Sequence, residues 1–484
     1  MKKMKRQAFG VGAAGAGAGG VDFISNLPED VMSSILGLVP LRDAVRTSIL
    51  SKEWRYKWVS ISDVVLNRDC LMKKSSSSNT FSYSSSDDEI ASAYVLDRVV
   101  QQLIGPICKF SCVFFSALVS HHFDLWIGFL SKNHGNVIKE FVMANERKID
   151  WYNVPHSIFD YRELCHLELL NCTLKVPRTF KGFRNLSVLN LAAKFSKDDI
   201  ECLISECPLL EWMKLIAFDY YQSLNIHAPN LRYLELDGEF VHLSIEEEAC
   251  PQQLTDVCLT SDVFPRFWHG RVNVPPTSLM PFIGCLHGIK RLTLTEFYTQ
   301  YLCIGIVPKN LPVTLGHLQY LEVELEFNSK EILASLCILR SSPNLKQLKI
   351  KYCVDSKERR IGILPVVDDI SGGHAELCGV ETQFDCFLSH LHAVEIIGIA
   401  MLSDLKFIRC ILSNSPVLET MNVYTNRNVG AENVLTILEE LLRSQPASTQ
   451  AEIIYLGHYE ESEWDYKIKF KDPRKTPTMI RRRL

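Results

Sequence analysis

A six-residue phrase, leucine-x-x-leucine-x-leucine with conservative replacements, recurs ten times and limits this chain to very few architectures. It reads LCHLEL from Leu164, LSVLNL from Leu186, LEWMKL from Leu210, LRYLEL from Leu231 and LTDVCL from Leu254. It returns as IKRLTL from Ile289, LQYLEV from Leu318, LKQLKI from Leu345, LHAVEI from Leu391 and LETMNV from Leu418. The interval is mostly in the twenties, the period of a stacked-repeat array. The last two apolar residues of each phrase are two apart, so both lie on the same side of a strand. Amphipathic segments precede several phrases: Ile200, Leu203 and Ile204; Leu333, Leu336 and Ile338; Leu405, Ile408 and Ile411. Pro208, Pro343 and Pro416 then stand where a helix stops and a strand begins. The expected fold class is α/β: a curved leucine-rich-repeat solenoid with a parallel β-sheet on its concave face and helices on its convex face.

Such strands turn their intervening side chains to the concave face. The expected contact residues there are His166, Glu168, Trp212, Lys214, Tyr233, Glu235, Arg291, Tyr320, Glu322 and Lys349. Charges of both signs interleaved with Trp, Tyr and Arg suit recognition of a protein. Lys214, Arg291 and Lys349 are too dispersed for a polyphosphate pocket.

Val21 to Trp58 forms a second unit. Asn26 and Glu29 read as a capping-box-like helix start, with Val31, Ile35 and Leu38 on one face up to Pro40. A second amphipathic segment carries Leu41, Val45 and Ile49. A third, opening at Ser51, places Trp54 and Trp58 four apart. Three short helices bury too little surface to stand alone without disulfides, metals or a partner. A docking module is expected.

The series Leu27, Pro28, Val31, Ile35, Leu36, Leu41, Val45, Leu50, Trp54 and Trp58 resembles the plant F-box motif. The phrases GPICKF, DLWIGFLSKN, CHLELLNC, LISECPLLE and APNLRYLELDG resemble the repeats of plant F-box proteins. LSHLHAVEIIGI, LKFIRCILSNSPVLETMNV and ASTQAEIIYL resemble the FBD domain that ends many of them. The resemblance implies that those ten N-terminal residues hold a Skp1-like adaptor and, through it, a cullin, while the repeats bind a target protein for ubiquitination. Composition, repeat spacing and the resemblance together divide the chain into a Gly/Ala-rich leader (1–20), a three-helix F-box (21–66), a serine-rich acidic linker (73–89) and leucine-rich repeats (90–352). An irregular insertion (353–386), FBD-like repeats (387–457) and a basic tail (458–484) follow.

Composition narrows the alternatives. A net charge of −4 over 484 residues gives no basic field for nucleic acid. The 16 scattered cysteines form no CxxC pair and read as reduced thiols, which fits nucleus or cytoplasm. The Phe110–Val119 run is half the length of a membrane span and is expected as a buried strand, so no membrane is expected as a partner. His121 and His122, adjacent in a strand, would face opposite ways and share no metal. Glu246, Glu247 and Glu248 read as a solvated turn, and the Arg481–Arg483 end as a solvated tail or import signal. No nucleotide-binding, serine-hydrolase or zinc-protease motif occurs, so no catalytic residue, cofactor or metal is expected. The expected function is a non-catalytic receptor. A repeat scaffold outside any ligase, a hormone-type co-receptor and a thioester-forming ligase remain the alternatives.

Overall fold

The computed structural model describes residues 27–66, 86–114, 120–145, 151–217, 223–240, 242–246, 250–261, 279–302, 307–325, 329–352, 387–402 and 404–459. The leader, most of the serine-rich linker, the 353–386 insertion and nearly all of the tail lie outside these residues, as does Asn26.

The N-terminal module opens with α1 (Glu29–Gly37), and Pro28 takes the N-cap position without any side-chain capping bond. Its pre-set φ and the acidic Glu29 and Asp30 in the first turn favour a helix start there. Pro40 then starts α2 (Leu41–Arg46) rather than only stopping α1. The third expected helix is a 3-10 segment, Trp54–Ser60, preceded by a 3-10 turn at Thr47–Ile49. So short a stretch gains few i to i−4 bonds, and a tight helix serves it as well. Ser51 still caps it in part, its hydroxyl accepting the Trp54 N–H at 3.3 Å.

The chain then lays down its strands, labelled in order: β1 (Asp63–Leu66), β2 (Lys109–Phe114), β3 (Glu140–Asn145), β4 (Tyr152–Asn153), β5 (His166–Thr173), β6 (Val188–Lys194), β7 (Trp212–Ala217), β8 (Leu224–Ile226), β9 (Tyr233–Asp237), β10 (Leu243–Ile245) and β11 (Asp256–Thr260). The series continues with β12 (Arg291–Leu294), β13 (Tyr320–Leu325), β14 (Gln347–Tyr352), β15 (Ala393–Ile399), β16 (Thr420–Thr425) and β17 (Glu452–His458). They form one parallel 15-stranded sheet in chain order, with β4 attached beside β5, while β8 and β10 pair separately. Each of the ten phrases starts its strand at its third residue.

Register explains why the phrase repeats. Phe141, Leu167, Leu189, Met213 and Leu234 lie opposite one another from strand to strand, and so do Met143, Leu169, Leu191, Leu215 and Leu236. All ten are essentially buried. Behind them pack α5 (Lys197–Ser205), α8 (Ser329–Arg340) and α9 (Asp404–Ser413), whose buried aliphatics belong to the same apolar core. The chain also forms α3 (Ser86–Val100), α4 (Ser120–His134), α6 (Met280–Gly284) and α7 (Glu296–Leu302), and α10 (Ala431–Leu442) follows α9. Thus α3 starts inside the expected linker. His121 and His122 sit on α4, not on a strand; the helix follows β2, which ends at Phe114. Among the described residues no helix is long and apolar enough to cross a membrane.

The core does not stop at the N-terminal module. Met32, Leu36, Leu41, Ala44, Trp54 and Trp58 share one cluster with Ile61, which follows the 3-10 segment, and with Val64 of β1. Backbone bonds from Ile104 and Gly105 to the Val59 carbonyl fasten the junction at 2.9 and 3.1 Å.

Two glycines are required by the stacking. Gly182 has φ +86° and a Cβ there would lie 2.2 Å from the Glu206 carbonyl; Gly398 has φ +84° and a Cβ would meet the Tyr352 carbonyl at 2.6 Å. Both Gly182→Ala and Gly398→Ala are expected to cost about 1–3 kcal/mol or more, seen as a lower thermal midpoint, whereas Gly430→Ala, which meets nothing within 4 Å, leaves it nearly unchanged.

Candidate functional site

Two surfaces carry the residues singled out from the sequence. On the N-terminal module, Leu36, Leu41, Trp54 and Trp58 point into the core and Leu27 and Val45 pack half-buried against it. Pro28 is exposed, as are Val31 (43%), Ile35 (40%) and Leu50 (67%). They are joined by Leu38, Val39, Ile49 and Tyr56, of which Leu38 and Ile49 are the most exposed apolar side chains of the module. Helix α1 therefore has two apolar stripes. Met32 and Leu36 serve the core; Val31, Ile35 and Leu38, at i, i+4 and i+7, face outward. The adjacent pairs Val31–Met32 and Ile35–Leu36 were the signal for this second stripe. Lys57 ties the 3-10 segment to the start of α1 through Glu29 at 2.9 Å, and that hydrogen bond holds the Glu29 carboxyl below its usual value.

The second surface is the sheet face away from the helices, where all ten expected contact residues lie. They fall into three groups. Trp212 stacks on Tyr233 with ring centroids 3.6 Å apart and planes 3° from parallel. The Tyr233 hydroxyl donates to Glu235 at 2.6 Å, and Lys214 reaches the same carboxylate at 2.6 Å. Arg291, 3.5 Å from Asp256, lies over the Tyr320 ring at 4.1 Å. Tyr320 donates to Glu322 at 2.7 Å, and Lys349 meets Glu322 at 2.8 Å. Burial, then the adjoining carboxylate, pushes both tyrosine hydroxyls well above their usual range. His166 and Glu168, the third group, are buried although on this face. The next row along the strands, Val113, Ala144, Leu170, Ala192 and Ile216, is a small apolar cluster separate from the main core. Its signal was the apolar run that continues past the first three phrases, as in LELLNC, LNLAAK and MKLIAF.

Other singled-out residues are structural. His122 and the Trp126 indole N–H both meet Asp97 at 2.7 Å, joining α3 to α4. Glu246 is held by His227 at 2.7 Å and by Asn225 at 2.8 Å rather than solvated alone; Glu247 and Glu248 lie outside the described residues. Burial pushes the Cys207 thiol up to about 12 and Cys337 up to about 11, the reverse of thiolate activation.

These contacts hold the outward side chains of the sheet in preset hydrogen bonds and ring stacks. Burial pulls the Lys349 ammonium down, but the hydrogen bond and charge of Glu322, with Glu395 beyond, outweigh this and hold it above 10.5. A raised amine contributes stability below its unfolded value and loses it as pH rises through the folded one. Glu322→Gln is therefore expected to cost about 1 kcal/mol near neutrality. In paired thermal melts, that gap from wild type closes as pH rises past the ordinary lysine value of about 10.4 and through the raised folded one.

Comparison with known proteins agrees with this arrangement. The F-box domain matches residues 24–63 and the FBD matches 383–423. A repeat family described as "FBD-associated F-box protein At5g56370, LRR repeats" matches 123–350. F-box/FBD/LRR-repeat protein At1g13570 of Arabidopsis thaliana is 32% identical over 458 residues, covering 90% of this chain and 98% of that protein. F-box/LRR-repeat protein 13 from the same plant is 25% identical over 486 residues, 91% of this chain and 97% of its own. F-box/FBD/LRR-repeat protein At4g26340 is 22% identical over 472 residues, 90% of this chain and all of its own. With the three matches in the same order along the chain and 32% identity across almost the whole of a relative, this chain belongs to the plant F-box/FBD/leucine-rich-repeat protein family.

Proposed function

We propose that this chain is the substrate-recognition subunit of a Skp1–cullin–F-box ubiquitin ligase. The observation that carries the reading is the outward apolar stripe of Val31, Ile35 and Leu38 on α1, with Ile49 and Leu50 also exposed on the same module, whose inner face is already filled by its own core. A soluble surface seldom leaves so many aliphatics together unless something covers them. A Skp1-like adaptor is the cover that F-box membership supplies, and a cullin joins through that adaptor. In this reading Leu36, Leu41, Trp54 and Trp58 shape the docking face from beneath, and Pro28, Val31, Ile35 and Leu50 touch the adaptor. The sheet face is the concave side of a curved solenoid, and it holds the target protein. The domain limits anticipated from the sequence belong to the same proposal, as does a location in nucleus or cytoplasm.

The chain then works by proximity. Holding a target lysine near a charged ubiquitin thioester raises its effective concentration, and no acid, base or nucleophile from this chain is required. The stacked Trp212–Tyr233 pair favours protein recognition, because rigid aromatic surface is what dominates such interfaces.

The test separates the two roles of the module. Val31→Asp with Ile35→Asp is expected to lower Skp1 co-purification at least about tenfold, the cost of losing two apolar anchors, with the thermal midpoint unchanged. Trp54→Ala is expected to lower the midpoint itself, by the equivalent of about 3–5 kcal/mol. Wild-type adaptor capture by the double aspartate variant would refute the docking assignment.

A further inference from the structure

On the sheet face Glu168 differs from three of the other carboxylates. Glu235, Glu322 and Glu324 each have a lysine amine within 2.8 Å. Glu168 is more deeply buried, 7% exposed, and its Oε1 has no partner. Its Oε2 lies 3.4 Å from His166 Nε2, and neither nitrogen of that ring, itself 9% exposed, makes a hydrogen bond. Asn190, in register with Glu168 on the next strand, has an unpartnered Oδ1 as well. The cations on either side are engaged elsewhere: Lys214 with Glu235 at 2.6 Å and Lys109 with Glu140 at 3.0 Å.

The unfilled positions share one chemistry. Glu168 Oε1 and Asn190 Oδ1 are acceptors, and a neutral imidazole adds another. Adjacent strands are about 4.8 Å apart, so these oxygens straddle a group able to donate in two directions. Water donates twice but brings no charge to offset a carboxylate withdrawn from solvent. An ammonium or guanidinium brings both. Glu168 Oε1 and Asn190 Oδ1 are themselves withdrawn from solvent, but Asn190 and Lys214 are partly exposed, so the approach to them is from the β6–β7 side.

We infer that Glu168, with Asn190 and His166, is a socket for a cationic side chain, arginine or lysine, of the protein held on this face. The inference rests on the reading that the face holds a target. It also makes Glu168 a liability while the socket is empty, because an uncompensated buried charge destabilises the fold.

Thermal melts of the full-length chain test this without knowing the target. The probes are arginine amide, lysine amide and neutral citrulline amide at matched ionic strength. Wild type is expected to melt about 1–2 °C higher with a cationic amide than with citrulline amide, the larger response identifying the preferred head group. Glu168→Gln is expected to erase that difference, and Asn190→Ala to reduce it. In probe-free buffer Glu168→Gln should melt at or above wild type. An equal response of wild type and Glu168→Gln, or no response beyond citrulline amide, overturns the socket and leaves water as its occupant. A fall of several degrees for Glu168→Gln in probe-free buffer overturns it too, by making Glu168 the structural partner of a charged His166. Neither result touches adaptor docking, and loss of the docking result would leave a Glu168-dependent cation response standing.

Discussion

Zero-offset pairing between successive parallel strands is the constraint on which everything else in this molecule depends. Leu189 opposes Leu167 and Met213 opposes Leu189, so the apolar positions of each phrase form unbroken rows. A one-residue slip in any strand would exchange its core side chains for its surface ones. The outward positions are therefore aligned by the same register. Trp212 stacks on Tyr233 because both are third in their phrases, and Lys214 meets Glu235 because both are fifth. Surface chemistry on this face is inherited from the requirements of the core.

A stack of repeats must also hide its ends, since each repeat buries its apolar side only against neighbours. At the N-terminal end the F-box does this, contributing Met32, Leu36, Trp54 and Trp58 to the core that begins at Val64. The consequence is mechanical. The outward stripe of α1 and the first strand belong to one packed core, so the proposed adaptor would be held in a set orientation to the sheet face. The opposite end is treated differently. Strand β17 has no fully buried residue, and Leu456 on it is 47% exposed.

The ten phrases let the sequence place ten strands with their core positions, and the prolines placed the helices before three of them. The strands ahead of Leu164 were harder to see. β1, β2 and β3 carry the same spacing in weaker form, ISDVVL from Ile61, ICKFSC from Ile107 and IKEFVM from Ile138, with valine, phenylalanine, cysteine or methionine in most of leucine's places. The F-box surface was only half legible. Val31 and Met32 are equally apolar, and nothing local decides which faces the core; that depends on where Ile61 and Val64 come to lie. The burial of His166 and Glu168 was hidden for a similar reason. Their alternation marks them as outward, and only the neighbours on β3 and β6 take them out of water.

Charge pairing on the sheet face also limits what a target can gain there. Lys214, Arg291 and Lys349 already have carboxylates at 2.6, 3.5 and 2.8 Å, so an acidic group on a target would have to displace an existing partner. Exchanging one ion pair for another contributes little affinity, although it discriminates against wrong charge patterns. In the proposed reading, net binding energy would then fall to groups with no ion pair to give up: the rings of the Trp212–Tyr233 stack, and the unpartnered Glu168 Oε1. A target that offered an apolar anchor to the stack and a cation to Glu168 would satisfy both without breaking any contact of the receptor.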